Sequence, residues 1–300
     1  MERKFKFLKE LKPIKTDVDP RIDVLKKIKA VIFDVYGTLV VSGAGDIWTT
    51  EIQSANAFSA FNSVGIKFGK GLDESEAGGI VLREYKKAIQ EQHENLKGCG
   101  VEHPEIDVIH IWENVLIELK KIKTVKIPED LCLKELALAF EFKTNQVWPM
   151  PYFNEIIQKI KNSNIELGIV SNSQFFTPMM MNYFSDNDNY LSDETIKDFN
   201  PDLCVYSYVE KKAKPSIDLF KKAKKILKKK YKIKPKHTLY VGNDMLNDVY
   251  CADKIGFKTC LFAGDIRSLR LRLNYPQVKK IKPDIIITEL KQLEEALGLK

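Results

Sequence analysis

The sequence predicts an α/β fold: a parallel sheet wrapped by helices, with a helical domain inserted directly after the first strand. Three observations carry this. Short apolar runs alternate with helical periodicities along most of the chain, which is the signature of strand–helix–strand units. The runs are rich in Val, Ile and Leu with little polar alternation, as strands buried on both faces are. Between about 44 and 147 the strand signal fades and helical stretches take over.

The first run is AVIFD at 30–34, and an apolar strand follows from its β-branched content. VVSGAG then leads out, and VWPMP leads back near 148, Gly and Pro punctuating both. Helices are expected near 47–64, 73–97, 104–122 and 129–144. The chain therefore divides into a core of 1–43 and 147–300, in which 1–28 form a basic N-terminal extension, and an inserted helical domain at 44–146. After re-entry the pattern is regular. The helix YFNEIIQKIKNS precedes the strand ELGIVS at 166–171. The polar, turn-rich stretch SDNDNYLSDETIKDFNPD reads as a surface excursion, followed by the strand LCVYS at 203–207. SIDLFKKAKKILKKKY is a helix, TLYVG at 238–242 a strand, and MLNDVYCADKIG a helix. KTCLF at 258–262, DIIIT at 284–288 and the helix ELKQLEEALG complete the alternation.

Composition narrows the function classes. With 300 residues, 44% of them hydrophobic and 30% charged, the chain has the make-up of a globular protein. No apolar run approaches the roughly 20 residues of a membrane helix, and MERKFKFLKELKPIK has no continuous apolar stretch of the kind a secretory signal needs. The expectation is a cytoplasmic protein that engages no membrane. The five cysteines, Cys99, Cys132, Cys204, Cys251 and Cys260, form no CxxC pair and read as reduced thiols. The net charge of +7 owes much to the lysines of 221–236. Those lysines interleave with Ala223, Ile226, Leu227 and Tyr231 at helical spacing, so they are the wet face of an amphipathic helix. A nucleic-acid surface requires aromatics in a basic groove, and no nucleic-acid partner is expected. His93, His103 and His110 match no zinc spacing and are read as surface histidines. Trp48, Trp112 and Trp148 are read as packing residues, and the N-terminal segment as a solvated arm or short amphipathic helix.

In an open α/β sheet, ligands bind beyond the carboxyl ends of the strands. Asp34 ends the first strand, Ser171 and Asn172 the second, and Gly242-Asn243-Asp244 the fourth, with Asp248 one turn further on. Lys214 lies in the loop after the third. Asp34, Asp244 and Asp248 on one rim demand cations. Carboxylate oxygens suit Mg²⁺, which takes one or two protein carboxylates plus substrate phosphate and water. A carboxylate steadied by a lysine is a usable nucleophile, and the remainder of phosphoryl transfer is positioning and charge neutralisation.

FDVYGTLV, IVSNS, AKP and VGNDMLNDV, in this order, resemble the four motifs of the haloacid-dehalogenase-like hydrolase superfamily. The resemblance covers roughly 29–40 and 148–290, and the helical insertion matches the family's cap by position and helicity. It implies a Rossmann-like core with an inserted helical cap, and a Mg²⁺ cofactor. It implies that Asp34 is the nucleophile, that the Tyr36 carbonyl and Asp244 complete a metal shell with Asp34, and that Ser171 and Lys214 hold the transferred group. Asp248 then orients water or the lysine ammonium. Tyr36, Thr38 and Asn172 are the expected substrate-side residues, with Thr38 fixing the turn locally, and Asn172 and Asn247 are also weighed as supporting donors behind the site. In the insertion, Lys70, Arg83 and Lys86 are weighed as substrate contacts against a role as surface cations.

One residue divides the expectation. Phosphatases of the family carry a second Asp two positions after the nucleophile, as general acid and base. Here that position is Tyr36, a phenol of pKa about 10. DxYGT is similar to the family's 2-haloacid dehalogenases, whose halide leaves without a proton and which work without a metal. Asp244, by contrast, retains the look of a magnesium ligand. The reading is a Mg²⁺-dependent phosphohydrolase acting on a small phosphorylated metabolite through an aspartyl-phosphate on Asp34. A dehalogenase-like C–X hydrolase and a catalytically weak ligand-binding member stand as alternatives. The expected partner is a small molecule, with the chain a monomer or homodimer.

Overall fold

The structure, a computed structural model, describes residues 5–44, 53–69, 71–122, 125–185 and 195–299. The chain forms two compact units, Met1–Glu10 with Asp46–Val147, and Leu11–Gly45 with Trp148–Lys300.

The second unit holds one six-stranded parallel sheet. Its strands are β1 Ala30–Phe33, β2 Glu166–Ser171, β3 Cys204–Tyr206, β4 Thr238–Gly242, β5 Lys258–Phe262 and β6 Ile285–Ile287. Their order in the sheet is β6-β5-β4-β1-β2-β3, every neighbour parallel. Chain order runs outward from β1 to β3 and then returns to the other side of β1 at β4, so the switch point lies between β1 and β4, where open sheets bind their ligands. The expected strands are all present, each within two residues at either end.

Burial explains the choice of residues. Ala30, Val31, Ile32 and Phe33 are all fully buried, because helices cover both faces of a parallel sheet. On one face Ile32, Val170, Val205 and Tyr240 pack with Leu219, Phe220, Ala223 and Leu227. The last four belong to helix Asp218–Lys229, whose lysines lie on its opposite, wetter side. Two of these lysines are tied locally, Lys221 to Asp218 and Lys222 to Glu210. Helix Phe153–Asn162 buries Ile156, Ile157 and Ile160. Helix Phe176–Phe184 had no counterpart in the sequence reading: Phe176, Met179, Met180, Met181 and Phe184 are buried nearly all round it, which erases the amphipathic signal. The expected helix at MLNDVYCADKIG begins as a π-helical turn, Met245–Tyr250, before α-helix Cys251–Lys254.

The first unit is helical: Ser54–Ser63, Glu74–Gly98, Val108–Lys120 and Leu133–Thr144. A short antiparallel ribbon joins Lys67–Phe68 to Val125–Lys126, too short to show in the pattern. Asp73 and Glu76 form a reciprocal capping box that starts the longest helix. Trp112 is the unit's fully buried centre, stacked on Tyr85 at 4.6 Å and edge-on to Phe61 and Phe140. Of the two readings of the N-terminal segment, the solvated arm does not describe residues 5–10. Phe5 is buried against Phe142, ring centroids 5.2 Å apart, and the Lys143 ammonium lies 4.1 Å over the Phe7 ring. Aromatic area removed from water outweighs the solvation of the flanking lysines.

Among the described residues no helix is long and apolar enough to cross a membrane. The cysteines are all free thiols. His103 and His110 pair with Glu102 and Glu113 at the surface. Arg83 pairs with its neighbour Glu84, and Lys86 is exposed. Trp48, Lys70 and residues 186–194 of the polar stretch lie outside the described residues.

Candidate active site

Sheet register assembles the site. Phe33 is level with Ile169 on β2 and Val241 on β4, so Asp34 emerges level with the ends of both neighbours. Its N–H still donates to the Val241 carbonyl at 2.9 Å. The chain then turns sharply, the N–H groups of Thr38, Leu39 and Val40 all pointing to the Val35 carbonyl. Gly37 permits this turn: its φ is +79°, and a Cβ there would stand 2.4 Å from the Ser268 Cβ. The Thr38 hydroxyl, fully buried, donates to Asn243 Oδ1 at 3.0 Å rather than bonding locally as expected. Asn243 in turn donates to the Ser268 carbonyl at 2.6 Å. Three loops are thereby locked at one rim.

Lys214 is the centre of charge. Its ammonium donates to Asp34 Oδ1 at 2.7 Å and to Asp248 Oδ1 at 2.6 Å. The Lys214 and Asp248 side chains are 3% and 1% exposed, while Asp34 keeps 11%. Burial alone pushes the lysine's pKa down, but the charges of Asp248 and Asp34 more than offset it and hold it well above the ordinary range. Burial pushes Asp248 up to about 7, with Lys214 opposing and Asp34 and Asp244 adding to the rise. Asp248 also receives the Asp244 N–H at 3.0 Å and lies within 3.0 Å of the Tyr240 hydroxyl. Gly242 makes room for it, since a Cβ there would meet Asp248 Cγ at 2.4 Å. Asn172 holds the lysine from behind: its Oδ1 accepts the Lys214 N–H at 2.7 Å. This is a positioning role, in keeping with the reading of Asn172 as a supporting donor. Ser171 is buried, with its hydroxyl 3.4 Å from the Asn172 carbonyl.

The structure thus brings Asp34, Lys214, Asp248, Asn172 and Ser171 to adjoining strand ends, with Thr38 linking loops beneath them. The Tyr36 hydroxyl is 3.0 Å from the Thr177 hydroxyl, so its partly buried phenol is tied to helix Phe176–Phe184. Asp244 Oδ1 caps the π-helical turn, accepting N–H groups of Leu246 at 2.8 Å and Asn247 at 3.1 Å.

Two residues the sequence reading missed matter here. Tyr240 sits inside a strand and looked like core, but its hydroxyl reaches the Val170 carbonyl at 2.7 Å as well as Asp248. Arg272 forks onto Asp244, with Nη2 to Oδ2 at 2.6 Å and Nε to Oδ2 and Oδ1 at 3.1 and 3.2 Å. A signal for it existed: RSLRLR lies in the loop beyond β5, on the same rim as the other motifs.

The guanidinium is a stand-in cation on the carboxylate expected to hold magnesium. Asp34 Oδ2 accepts no hydrogen bond among the described residues, its Oδ1 taking Lys214. No group of three or more Asp, Glu, His or Cys side chains disposed to hold a metal occurs among them, so such an ion would rest on two carboxylates, a carbonyl and water. That is the donor set Mg²⁺ takes beside a phosphorylated substrate. The donor types fit the ion, and Arg272 is paired with one of them, Asp244.

A family model for haloacid dehalogenase-like hydrolases matches residues 28–256, and the chain belongs to that family. No curated protein matches it in sequence. Among solved structures it is similar to a HAD phosphatase from Thermococcus onnurineus, 17% identical, TM-score 0.51, over 91% of this chain and 99% of that one. It is also similar to an L-2-haloacid dehalogenase from Xanthobacter autotrophicus with chloropropionic acid covalently bound, 16% identical, TM-score 0.47, over 89% and 97%. The phosphatase likeness, at this identity, speaks for the fold alone.

Proposed function

We propose that the protein hydrolyses a small phosphorylated substrate through an aspartyl-phosphate on Asp34. The observation that carries this is the Lys214 ammonium seated between Asp34 and Asp248. It orients Asp34 through Oδ1 and leaves Oδ2 to attack. Oδ2 bonds to phosphorus as the bond from phosphorus to the leaving oxygen breaks, and the leaving group takes the electron pair. Water then attacks phosphorus, the Asp34–phosphorus bond breaks, and phosphate leaves with one of the water's protons while the other goes to solvent. Lys214 and the buried N–H groups meet the charge that builds on the transferred group. Magnesium held by Asp34, Asp244 and the Tyr36 carbonyl would supply further charge neutralisation when bound.

The chain provides no carboxylic acid at the second motif position. Tyr36 is bonded to Thr177, and a phenol is a weak acid near neutrality. The substrates that suit the site have leaving groups that depart as stable anions, such as acyl or aryl phosphates. Displacement of halide from a 2-haloacid is the second reading, favoured by the same Tyr36, since halide needs no proton.

The test is phosphate release from acetyl phosphate and p-nitrophenyl phosphate, with Mg²⁺ and with chelator, alongside halide release from 2-chloropropionate, using Asp34→Asn as blank. Phosphate release that needs Asp34 is expected. Halide release alone would replace the first reading with the second, and silence in both assays would refute a hydrolase of either kind.

A further inference from the structure

Arg272 is placed too deliberately for a loop arginine. Its segment is stitched along the Asp244 loop: Arg270 N–H donates to the Asn243 carbonyl at 3.0 Å, and Met245 N–H to the Arg270 carbonyl at 2.9 Å. Arg270 itself turns away, its Nη1 on the Arg267 and Leu269 carbonyls at 2.8 and 3.0 Å. Arg272 has φ +51°, a left-handed conformation uncommon for a residue with a side chain. Its carbonyl accepts the Tyr275 N–H at 2.9 Å and its guanidinium lies 5.7 Å from the Tyr275 ring. The fork on Asp244 is two-pronged, the arrangement in which Arg holds a carboxylate best. The Arg272 side chain is 24% exposed and that of Asp244 8%, so the arginine can leave toward water while the aspartate stays put.

Charge explains why something must sit there. Asp34, Asp244 and Asp248 share a rim where Lys214 answers the first and last. Among the described residues, Asp244 has only backbone N–H groups on Oδ1 besides Arg272. Removal of both Arg272 and a metal would leave a largely buried carboxylate without a counter-charge, which is strongly unfavourable.

We propose that Arg272 is a placeholder cation: it holds Asp244 when no divalent ion is bound and gives the carboxylate up when Mg²⁺ arrives. The exchange sets the affinity of the site, since the ion must displace an arginine already paired. The folded site also survives without metal, its counter-charge being part of the chain. The inference rests on the reading of Asp244 as a magnesium ligand.

The experiment is Mg²⁺ titration by calorimetry, with thermal unfolding in chelator and in Mg²⁺, on wild type, Arg272→Gln, Arg272→Lys and Asp244→Asn. Arg272→Gln is expected to bind Mg²⁺ roughly tenfold tighter than wild type. It should melt lower in chelator and recover more than wild type on adding Mg²⁺. Arg272→Lys, which keeps the charge but loses the fork, should fall between, and it carries the test if the glutamine variant does not fold. Asp244→Asn should lose Mg²⁺ binding. If Asp244→Asn binds Mg²⁺ as wild type does, or if no protein in the series binds it, the magnesium reading of Asp244 fails and the exchange with it. If binding depends on Asp244 but the arginine variants match wild type or bind more weakly, the ligand reading stands and the exchange is refuted.

Discussion

Glu141, in the helical unit, offers a clean test of burial electrostatics. It lies on helix Leu133–Thr144, is 8% exposed, and accepts one hydrogen bond, from Asn145 Nδ2 at 3.0 Å. Among the described residues no Lys, Arg or His pairs with it. Burial, only partly opposed by the Asn145 bond, pushes its pKa from 4.5 up to about 7. That gap is worth about 3 kcal/mol between the two protonation states. The sign follows from linkage: the folded protein binds this proton more tightly than the unfolded chain. The carboxyl therefore costs nothing below pH 4.5, costs progressively more as pH rises from 4.5 to about 7, and costs its full amount above that. Glu141→Gln keeps an oxygen for Asn145 and removes the ionisation. The variant should match wild type near pH 4.5 and exceed it by up to about 3 kcal/mol at pH 8. Urea unfolding followed by circular dichroism at pH 4.5, 6 and 8 measures the difference. A variant that is less stable than wild type at pH 8, or differs from it equally at all three pH values, would refute the reasoning.

Lys214→Ala strands the Asp34 and Asp248 carboxylates in a dry site, so it should cost about 3–5 kcal/mol in chemical denaturation and abolish turnover. Tyr36→Asp restores a carboxylic acid at the second motif position. It should raise hydrolysis of an alkyl phosphate by about 10²-fold or more and leave acetyl phosphate nearly unchanged, as read from released phosphate. Gly37→Ala forces a Cβ into Ser268 at φ +79° and should destabilise by about 1–3 kcal/mol, with turnover falling because Asp34 shifts with the loop. Trp112→Ala empties the centre of the helical unit and should cost about 3–5 kcal/mol, read by urea unfolding.

The sequence by itself determined the parallel sheet and the run of helices that interrupts it after the first strand. Strands buried on both faces write their burial directly into runs such as AVIF and TLYVG, so β1 to β6 were legible. Asp34 was legible as a polar residue at an apolar strand end, while Lys214 in its loop and Asp248 one turn past Asp244 were picked out by the joint order of the motifs. Helix Phe176–Phe184 was hidden, since a helix buried all round carries no periodicity. Burial of Phe5 was hidden too, since it depends on a partner at Phe142. Only the tertiary structure decided the pairings. Thr38 bonds across the rim to Asn243 and not within its own turn. Asn172 grips the backbone of Lys214, 42 positions away. Arg272 reaches Asp244 across 28 positions of sequence. No local pattern encodes such a reach. An arginine in a loop is solvated unless the fold sets a carboxylate within its grasp, and the fold does that by the register of β4 and β5 and the loops they carry.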